Sequence, residues 1–278
     1  MLAERMARHR RSRLQLGDLA AGGAAGLSFL RQGQGRPVLL LHGFASDAEA
    51  DWVETGWLDV RAGAGYDLVA PDLRGHGQSV KSRNPADYRL DAFAADVKAL
   101  REYCWGPCGF DVIGYSMGAH VAMALALATS SRVESLVLGG MGDRIAETVG
   151  LAPEFADALD ETDEEKLGAY PSYAIRFAQH AATRTSNDMP ALAACLRGQS
   201  SCFDLARLEA LTAATLVITG AQDKLAGSPY PIAARLAAGT GATVPNANHA
   251  SALADRGFRE RVLLHLQRDF AMITASGK

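Results

Sequence analysis

The chain has 278 residues, of which 48% are hydrophobic and 21% charged, and its formal net charge is −3. It is long enough for one large α/β domain with an insertion, or for two small domains, and its composition is ordinary for a globular protein. The small negative charge gives no reason to expect nucleic acid as a partner, and no apolar stretch approaches the roughly 20 residues that span a bilayer.

A basic segment opens the chain, with arginine at positions 5, 8, 10, 11 and 13. The pair Arg10-Arg11 is compatible with an export signal. The segment that follows, residues 14–30, contains an acidic residue and many glycines, so it makes a poor apolar region for such a signal. We therefore predict that residues 1–25 form a basic, loosely attached tail and lead-in.

Four cysteines are present: Cys104, Cys108, Cys195 and Cys202. Their spacings match no usual zinc-ligand pattern, and a chain of this size does not need disulfides to be stable. We expect reduced thiols, a cytoplasmic location, and neither a metal nor a cofactor.

Short apolar runs that end in turns are typical of strands buried in a parallel sheet. Such runs cover residues 26–31, 37–41, 66–70, 110–113, 133–140, 214–219 and 242–244. Helical patterns alternate with them, at about residues 51–62, 90–104, 119–128, 231–238 and 256–270. Strands that alternate with helices predict an α/β fold with a doubly wound, mostly parallel sheet.

The alternation is interrupted after the strand at 133–140. Residues 143–206 contain no clear strand, carry an early acidic stretch, and favour several helices. We predict that this segment is an inserted helical cap between two parts of an α/β core, residues 26–142 and 207–278. The acidic stretch is typical of a solvated helix face.

The segment Gly114-Tyr115-Ser116-Met117-Gly118 lies between an apolar strand and an alanine-rich helix. A serine at a sharp strand-to-helix turn needs small residues two positions before and after it, and both positions are glycine. Ser116 is therefore the candidate nucleophile.

A serine nucleophile needs a base, and the base needs a carboxylate that orients it. Asp223 directly follows the strand at 214–219, and His249 follows the strand at 242–244, so both are expected at the same sheet edge as Ser116. Asp143, which follows the strand at 133–140, is the alternative carboxylate. His42 and His76 precede glycines in tight loops, where they are expected to hold loop backbone.

Together, these motifs resemble the α/β-hydrolase family from about Gly26 onward. The segments that carry the resemblance are Leu41-His42-Gly43-Phe44, Asp72-Leu73-Arg74-Gly75-His76-Gly77-Gln78-Ser79, the Ser116 turn, Gly220-Ala221-Gln222-Asp223 and Asn248-His249. The resemblance implies that the backbone N–H groups of Phe44 and Met117 form an oxyanion hole. A free N–H just after a central strand, and one at a helix N-terminus, agree with that role.

The expected function is hydrolysis of carboxylic esters of small to medium apolar substrates. In the family's haloalkane dehalogenase and epoxide hydrolase branches, the resemblance would require aspartate in place of Ser116. Two alternatives use the same triad: a carbon–carbon bond hydrolase, with Arg144 or Arg176 facing the site, and a cofactor-free perhydrolase. A ligand-binding module that has kept the fold without catalysis is the non-enzymatic alternative. The oligomeric state is left open, and so are the acyl and alcohol groups of the ester substrate.

Overall fold

A computed structural model describes residues 10–13, 26–58, 65–128, 132–144, 153–199 and 205–275. Eight strands in these segments form one sheet, and their bounds are β1 (Arg10–Arg13), β2 (Ser28–Gly33), β3 (Arg36–Leu41), β4 (Tyr66–Pro71), β5 (Phe110–Tyr115), β6 (Val133–Gly139), β7 (Ala214–Gly220) and β8 (Gly239–Val244). Their order across the sheet is β1-β2-β4-β3-β5-β6-β7-β8. The strands from β3 to β8 are all parallel, while β2 is antiparallel to both β4 and β1.

Helices cover both faces of the sheet, because its central strands are apolar on both sides. In β3, Leu39 and Leu41 pack into one core, and Val38 and Leu40 pack into the other. The α-helices described are α1 (Leu90–Trp105), α2 (Met117–Ala128), α3 (Pro153–Asp160), α4 (Glu164–Leu167), α5 (Ser172–Ala182), α6 (Met189–Gly198), α7 (Tyr230–Ala233) and α8 (Arg256–Ala275). Helices α1 and α2 contribute to the first core, and α8 contributes to the second. The predicted doubly wound, mostly parallel sheet is confirmed.

Two predicted helices differ from those observed. Where a helix is predicted over 51–62, the chain forms a π-helical turn at Glu49–Glu54, and residues 59–64 lie outside the described residues. The helix predicted over 231–238 ends at Ala233, because the chain turns into a longer β8 and the Ala238 carbonyl accepts the Thr215 N–H of the neighbouring strand (2.9 Å). Two 3₁₀ segments, Pro85–Tyr88 and Leu205–Ala210, complete the described helices.

The basic N-terminal segment differs from its prediction as well. Arg10–Arg13 form β1, which pairs with Ser28–Arg31 of β2 at the sheet edge. The prediction of a loosely attached tail is therefore wrong for these four residues, because their backbone completes hydrogen bonds along β2. Residues 1–9 and 14–25, the rest of the predicted tail and lead-in, lie outside the described residues.

Helices α3, α5 and α6 share a small core of their own, built mainly from alanine and leucine, and this core contacts Phe44 and Ala45 beyond β3. We refer to α3–α6 as the cap helices. They lie within the predicted cap segment, whose boundaries stay a prediction because residues 145–152 and 200–204 lie outside the described residues. Cys202 falls in the second of these gaps, and the other three cysteines are free thiols.

Candidate active site

Ser116 lies at the junction between β5 and α2. Its φ of 54° falls in the left-handed region that non-glycine residues rarely adopt. Two backbone hydrogen bonds hold the turn: the Ser116 N–H donates to the Gly139 carbonyl (2.8 Å), and the Ala119 N–H donates to the Ser116 carbonyl (2.9 Å). A backbone fixed in this way projects the serine hydroxyl above the carboxyl edge of the sheet.

Two glycines make room for the Ser116 turn. A Cβ on Gly114 would lie 2.3 Å from the carbonyl oxygen of Gly118, and one on Gly118 would lie 2.1 Å from the carbonyl oxygen of Leu41. Both clashes would be with backbone, which cannot rotate away as a side chain can. Helix α2 therefore approaches β5 and β3 this closely only because neither residue carries a side chain.

Replacing Gly118 with alanine should lower the free energy of unfolding by at least about 3 kcal/mol, because α2 and β3 would have to separate. Urea unfolding with a fitted m-value measures the change. Gly168→Ala is the matched control: Gly168 has φ of −60° at the end of α4, and a Cβ there would lie 3.3 Å from the Glu165 carbonyl oxygen, so the effect should stay within about 1 kcal/mol. A Gly118→Ala protein as stable as Gly168→Ala would contradict the proposed clash.

His249 connects Ser116 to Asp223. The imidazole Nε2 lies 2.9 Å from the Ser116 hydroxyl, and Nδ1 lies 2.8 Å from Oδ2 of Asp223. The other Asp223 oxygen accepts the backbone N–H groups of Leu225 (3.1 Å) and Ala226 (2.8 Å), which fix the orientation of the carboxylate. An ionised carboxylate only accepts hydrogen bonds, so Nδ1 carries the proton and the Nε2 lone pair faces the hydroxyl. In this arrangement, His249 Nε2 can take the proton of the Ser116 hydroxyl.

Asp143, the alternative carboxylate, makes different contacts. Its Oδ1 accepts the backbone N–H of Ser228 (2.8 Å), and its own N–H donates to the Ser228 carbonyl (2.9 Å). Asp143 thus ties the end of β6 to the loop that follows β7. Of the two candidates, Asp223 is the one in hydrogen-bond contact with His249.

Tyr115 supports the histidine loop, a contact that the sequence reasoning missed. Its hydroxyl donates to the backbone carbonyl of His249 (2.5 Å), and its ring lies 5.6 Å from the imidazole. Burial raises the pKa of the phenol, so the hydroxyl stays a donor. Gly140, with φ of 59°, leaves space for both rings, since a Cβ there would lie 2.9 Å from Tyr115 and 3.2 Å from His249.

The β3 loop, residues 42–47, lies beside Ser116: a Cβ on Gly43 would be 3.6 Å from the Ser116 Cβ. The Gly43 N–H donates to Asp51 Oδ2 (2.8 Å), whereas the next N–H, that of Phe44, has no acceptor among the described residues. Met117 is the first residue of α2, so its N–H has no acceptor within the helix. The structure thus leaves both N–H groups that the resemblance singles out available beside the serine turn.

Two buried histidines support the β3 loop: His42 is its first residue, and His76 packs against His42. His42 Nε2 accepts the Leu73 N–H (2.8 Å), and its Nδ1 donates to the Gly43 carbonyl (2.7 Å), so His42 holds loop backbone as expected. His76 Nδ1 lies 3.0 Å from the Arg74 carbonyl, and its Nε2 has no partner among the described residues. Burial, followed by the neighbouring His42, lowers the pKa of His76 to about 3.

The low pKa of His76 should make the folded state sensitive to acid. Between about pH 6.5 and 3 the unfolded chain binds a proton that the folded chain does not, so the free energy of unfolding falls as the pH falls. From pH 7.5 to 5.0, His76 alone should account for a loss of about 2 kcal/mol. Urea unfolding at both pH values, on the native protein and on His76→Asn, measures this loss. Equal losses in the two proteins would contradict the prediction.

The predicted cap segment contacts the two predicted oxyanion residues through Phe177 and Gln199. Phe177 of α5 stacks on Phe44, with ring centroids 5.7 Å apart and planes 10° from parallel, and Phe155 of α3 meets Phe177 edge-on at 5.0 Å. The Gln199 amide, just after α6, donates to the sulfur of Met117 (3.1 Å). The side chains of both predicted oxyanion residues are therefore packed against the cap.

Within the described segments, no three His, Cys, Asp or Glu side chains gather as a metal site would require. No helix in that part of the chain combines the length and the hydrophobicity that crossing a bilayer requires.

The sequence-family model of the alpha/beta hydrolase fold matches residues 36–223. Epoxide hydrolase B of Mycobacterium tuberculosis (strain H37Rv) is 34% identical over 123 residues, which are 44% of this chain and 30% of that protein. Lipase 3 of Moraxella sp. (strain TA144) is 35% identical over 109 residues, 37% of this chain and 31% of that protein. The chain thus matches about a third of the length of these curated relatives.

Solved structures resemble the chain over more of its length. The enol-lactonase from Burkholderia xenovorans LB400 superposes with a TM-score of 0.72 and 20% sequence identity, covering 89% of this chain and 99% of that one. At such low identity the likeness concerns the fold.

Proposed function

The chain belongs to the α/β-hydrolase family, and we propose that it is a serine hydrolase that cleaves carboxylic esters of small to medium apolar substrates. The observation that carries this proposal is the hydrogen-bonded series Ser116–His249–Asp223, with distances of 2.9 and 2.8 Å. The same series makes a binding module without catalysis the weaker explanation, because nothing in mere ligand binding requires an oriented base at a serine hydroxyl.

Ser116 attacks the ester carbonyl while His249 Nε2 takes the hydroxyl proton. Asp223 holds the imidazole in the tautomer that can accept this proton, and it stabilises the imidazolium that forms. His249 then protonates the leaving alcohol, which departs and leaves an acyl group on Ser116. In the second half of the reaction His249 activates water, which attacks the acyl carbonyl and releases the acid.

Negative charge develops on the carbonyl oxygen in both halves of the reaction. The backbone N–H groups of Phe44 and Met117 are proposed to stabilise it, since both lie beside the Ser116 turn and neither has an acceptor among the described residues. Each such donor contributes on the order of 3–4 kcal/mol to lowering the barrier. The Met117 N–H has the added field of the α2 N-terminus.

The serine nucleophile is the reason to prefer ester over epoxide hydrolysis, since the family's epoxide hydrolase branch would have aspartate at this position. The carbon–carbon hydrolase alternative predicts Arg144 or Arg176 facing the site. Arg176 is exposed on α5, and Arg144 donates to the Lys224 carbonyl (2.9 Å). Neither arginine therefore supports that alternative over ester hydrolysis. The perhydrolase alternative uses the same acyl-enzyme, so an assay for halogenation that depends on peroxide distinguishes it from ester hydrolysis.

A fluorophosphonate probe and a series of p-nitrophenyl esters of increasing acyl length test the proposal together. We expect stoichiometric labelling at Ser116, mapped by peptide mass, and ester turnover with an optimum acyl length. Labelling without turnover of any ester would replace ester hydrolysis by the carbon–carbon alternative, and halogenation that depends on peroxide would indicate a perhydrolase. Absence of both labelling and turnover would contradict the proposal.

A further inference from the structure

Ala45, the residue after Phe44, has φ of 57°. Alanine seldom adopts this left-handed conformation, because its Cβ crowds the backbone. A strained residue persists only where its surroundings hold it. The conformation of the β3 loop next to the proposed oxyanion donor therefore depends on contacts outside the loop itself.

Asn187 supplies one of these contacts from the cap. It belongs to the cap turn, residues 183–188, which joins α5 to α6. Its Nδ2 donates to the carbonyl of Ala45 (2.9 Å) and to the carbonyl of Ala181 (2.8 Å) at the end of α5. Both amide protons are thus used, and Oδ1 is buried with no partner among the described residues. The side chain acts as a donor that bridges the cap and the β3 loop.

Asp51 supplies the matching contact from the core side. Its carboxylate accepts the Gly43 N–H (2.8 Å) and the Ser46 hydroxyl (2.5 Å). Two anchors therefore flank Phe44: Asp51 holds the peptide between His42 and Gly43, and Asn187 holds the peptide between Ala45 and Ser46. Between these two anchors the direction of the Phe44 N–H has little freedom.

We infer that Asn187 is a positioning residue, which holds Ala45 in its left-handed conformation and so aims the Phe44 N–H at the developing oxyanion. This inference rests on the proposed function, since it deepens the role of Phe44 in ester hydrolysis. Asn187 touches neither the substrate nor the reacting atoms, and it acts through the backbone of the β3 loop.

General docking of the cap is the competing explanation, and the same turn offers a control for it. Arg83 pairs with Asp188 at 2.7 Å, which ties the cap turn to a core segment outside the β3 loop. Arg83→Ala loosens the turn without removing either anchor of Phe44. Asp47 is unsuitable as a control, because it belongs to the β3 loop itself and its contacts with Arg184 (3.2 Å) and Ser186 (2.8 Å) join that loop to the cap turn.

The test compares native protein, Asn187→Ala, Asn187→Asp and Arg83→Ala in ester hydrolysis. We expect both Asn187 variants to lower kcat by about 10- to 100-fold with KM changed less than about threefold, because a misdirected donor affects the transition state more than substrate binding. Binding of a trifluoromethyl ketone, whose adduct oxygen occupies the oxyanion position, should weaken by a similar factor. Arg83→Ala should stay within about threefold of the native protein in both measurements.

Two results would overturn the inference: a kcat in both Asn187 variants within threefold of the native value, or an equal loss in Arg83→Ala, which would assign the effect to cap docking. Crystal structures of the folded Asn187 variants give a readout that needs no activity, and Ala45 should leave the left-handed region in them. If Ala45 keeps that conformation, the inference fails. Failure of the proposed function looks different, because the native protein itself would then neither label nor turn over esters.

Discussion

Replacing Ser116 with alanine should lower kcat for the best p-nitrophenyl ester by about 10⁶-fold, to a level set by the oxyanion donors and binding alone. The side chains of Ser116 and His249 act as one unit, with 2.9 Å between hydroxyl and Nε2, so removing either one removes the same step. His249→Ala should therefore cost about as much, and the double variant should be no slower than either single variant.

Alanine keeps the Cβ of Ser116 and needs no new space, so the Ser116→Ala protein should fold, which thermal unfolding checks. Fluorophosphonate labelling should disappear with the hydroxyl. Ester turnover by the pure, folded variant at more than about 1% of the native rate would show that the nucleophile is another group. If the decreases of kcat in the two single variants add up in the double variant, His249 does not act through Ser116.

Replacing Asp223 with asparagine should lower kcat by about 10⁴-fold, and the hydrogen bonds of the carboxylate explain why. Oδ1 accepts two backbone N–H groups, from Leu225 and Ala226, so this position must remain an acceptor. The amide nitrogen is then forced to the Oδ2 position, where it donates to His249 Nδ1. The imidazole proton moves to Nε2, and the base presents a proton to Ser116 in place of a lone pair.

Asp143→Asn is the matched control, since Asp143 is also an aspartate at the carboxyl end of a strand but contacts Ser228 and not His249. Its kcat should stay within about threefold of the native value. Steady-state kinetics at pH 7 to 8 on both variants separates the two carboxylates. A larger loss in Asp143→Asn than in Asp223→Asn would reverse their assignment.

The sequence predicts the sheet and the contacts among Ser116, His249 and Asp223 well, because each prediction starts from short-range patterns. Val38 to Leu41 read as a strand buried on both faces, and the structure divides these residues between two cores. Ser116 is found from glycines two residues away on either side. Asp223 and His249 follow from the rule that parallel strands end at the same edge, which makes residues far apart in sequence neighbours.

Contacts that depend on the tertiary structure leave no such pattern. Arg10–Arg13 carry no apolar alternation, and only the backbone of β2 makes them a strand. Asn187 is 142 residues from Ala45, and Tyr115 is 134 residues from His249. In both pairs the acceptor is a backbone carbonyl, which every residue type possesses. A single sequence therefore contains no signal for either contact.

The stacking of Phe177 on Phe44 has an evolutionary consequence. Helix α5 lies in the predicted cap, where selection for new substrates would be expected to act, and its Phe177 also packs on the loop that carries a proposed catalytic donor. We therefore expect substitutions at Phe177 to change turnover through this loop as well as substrate choice. We also expect an exchange of caps between relatives to need an exchange of this loop, since the cap and the loop pack together through Phe177 and Asn187.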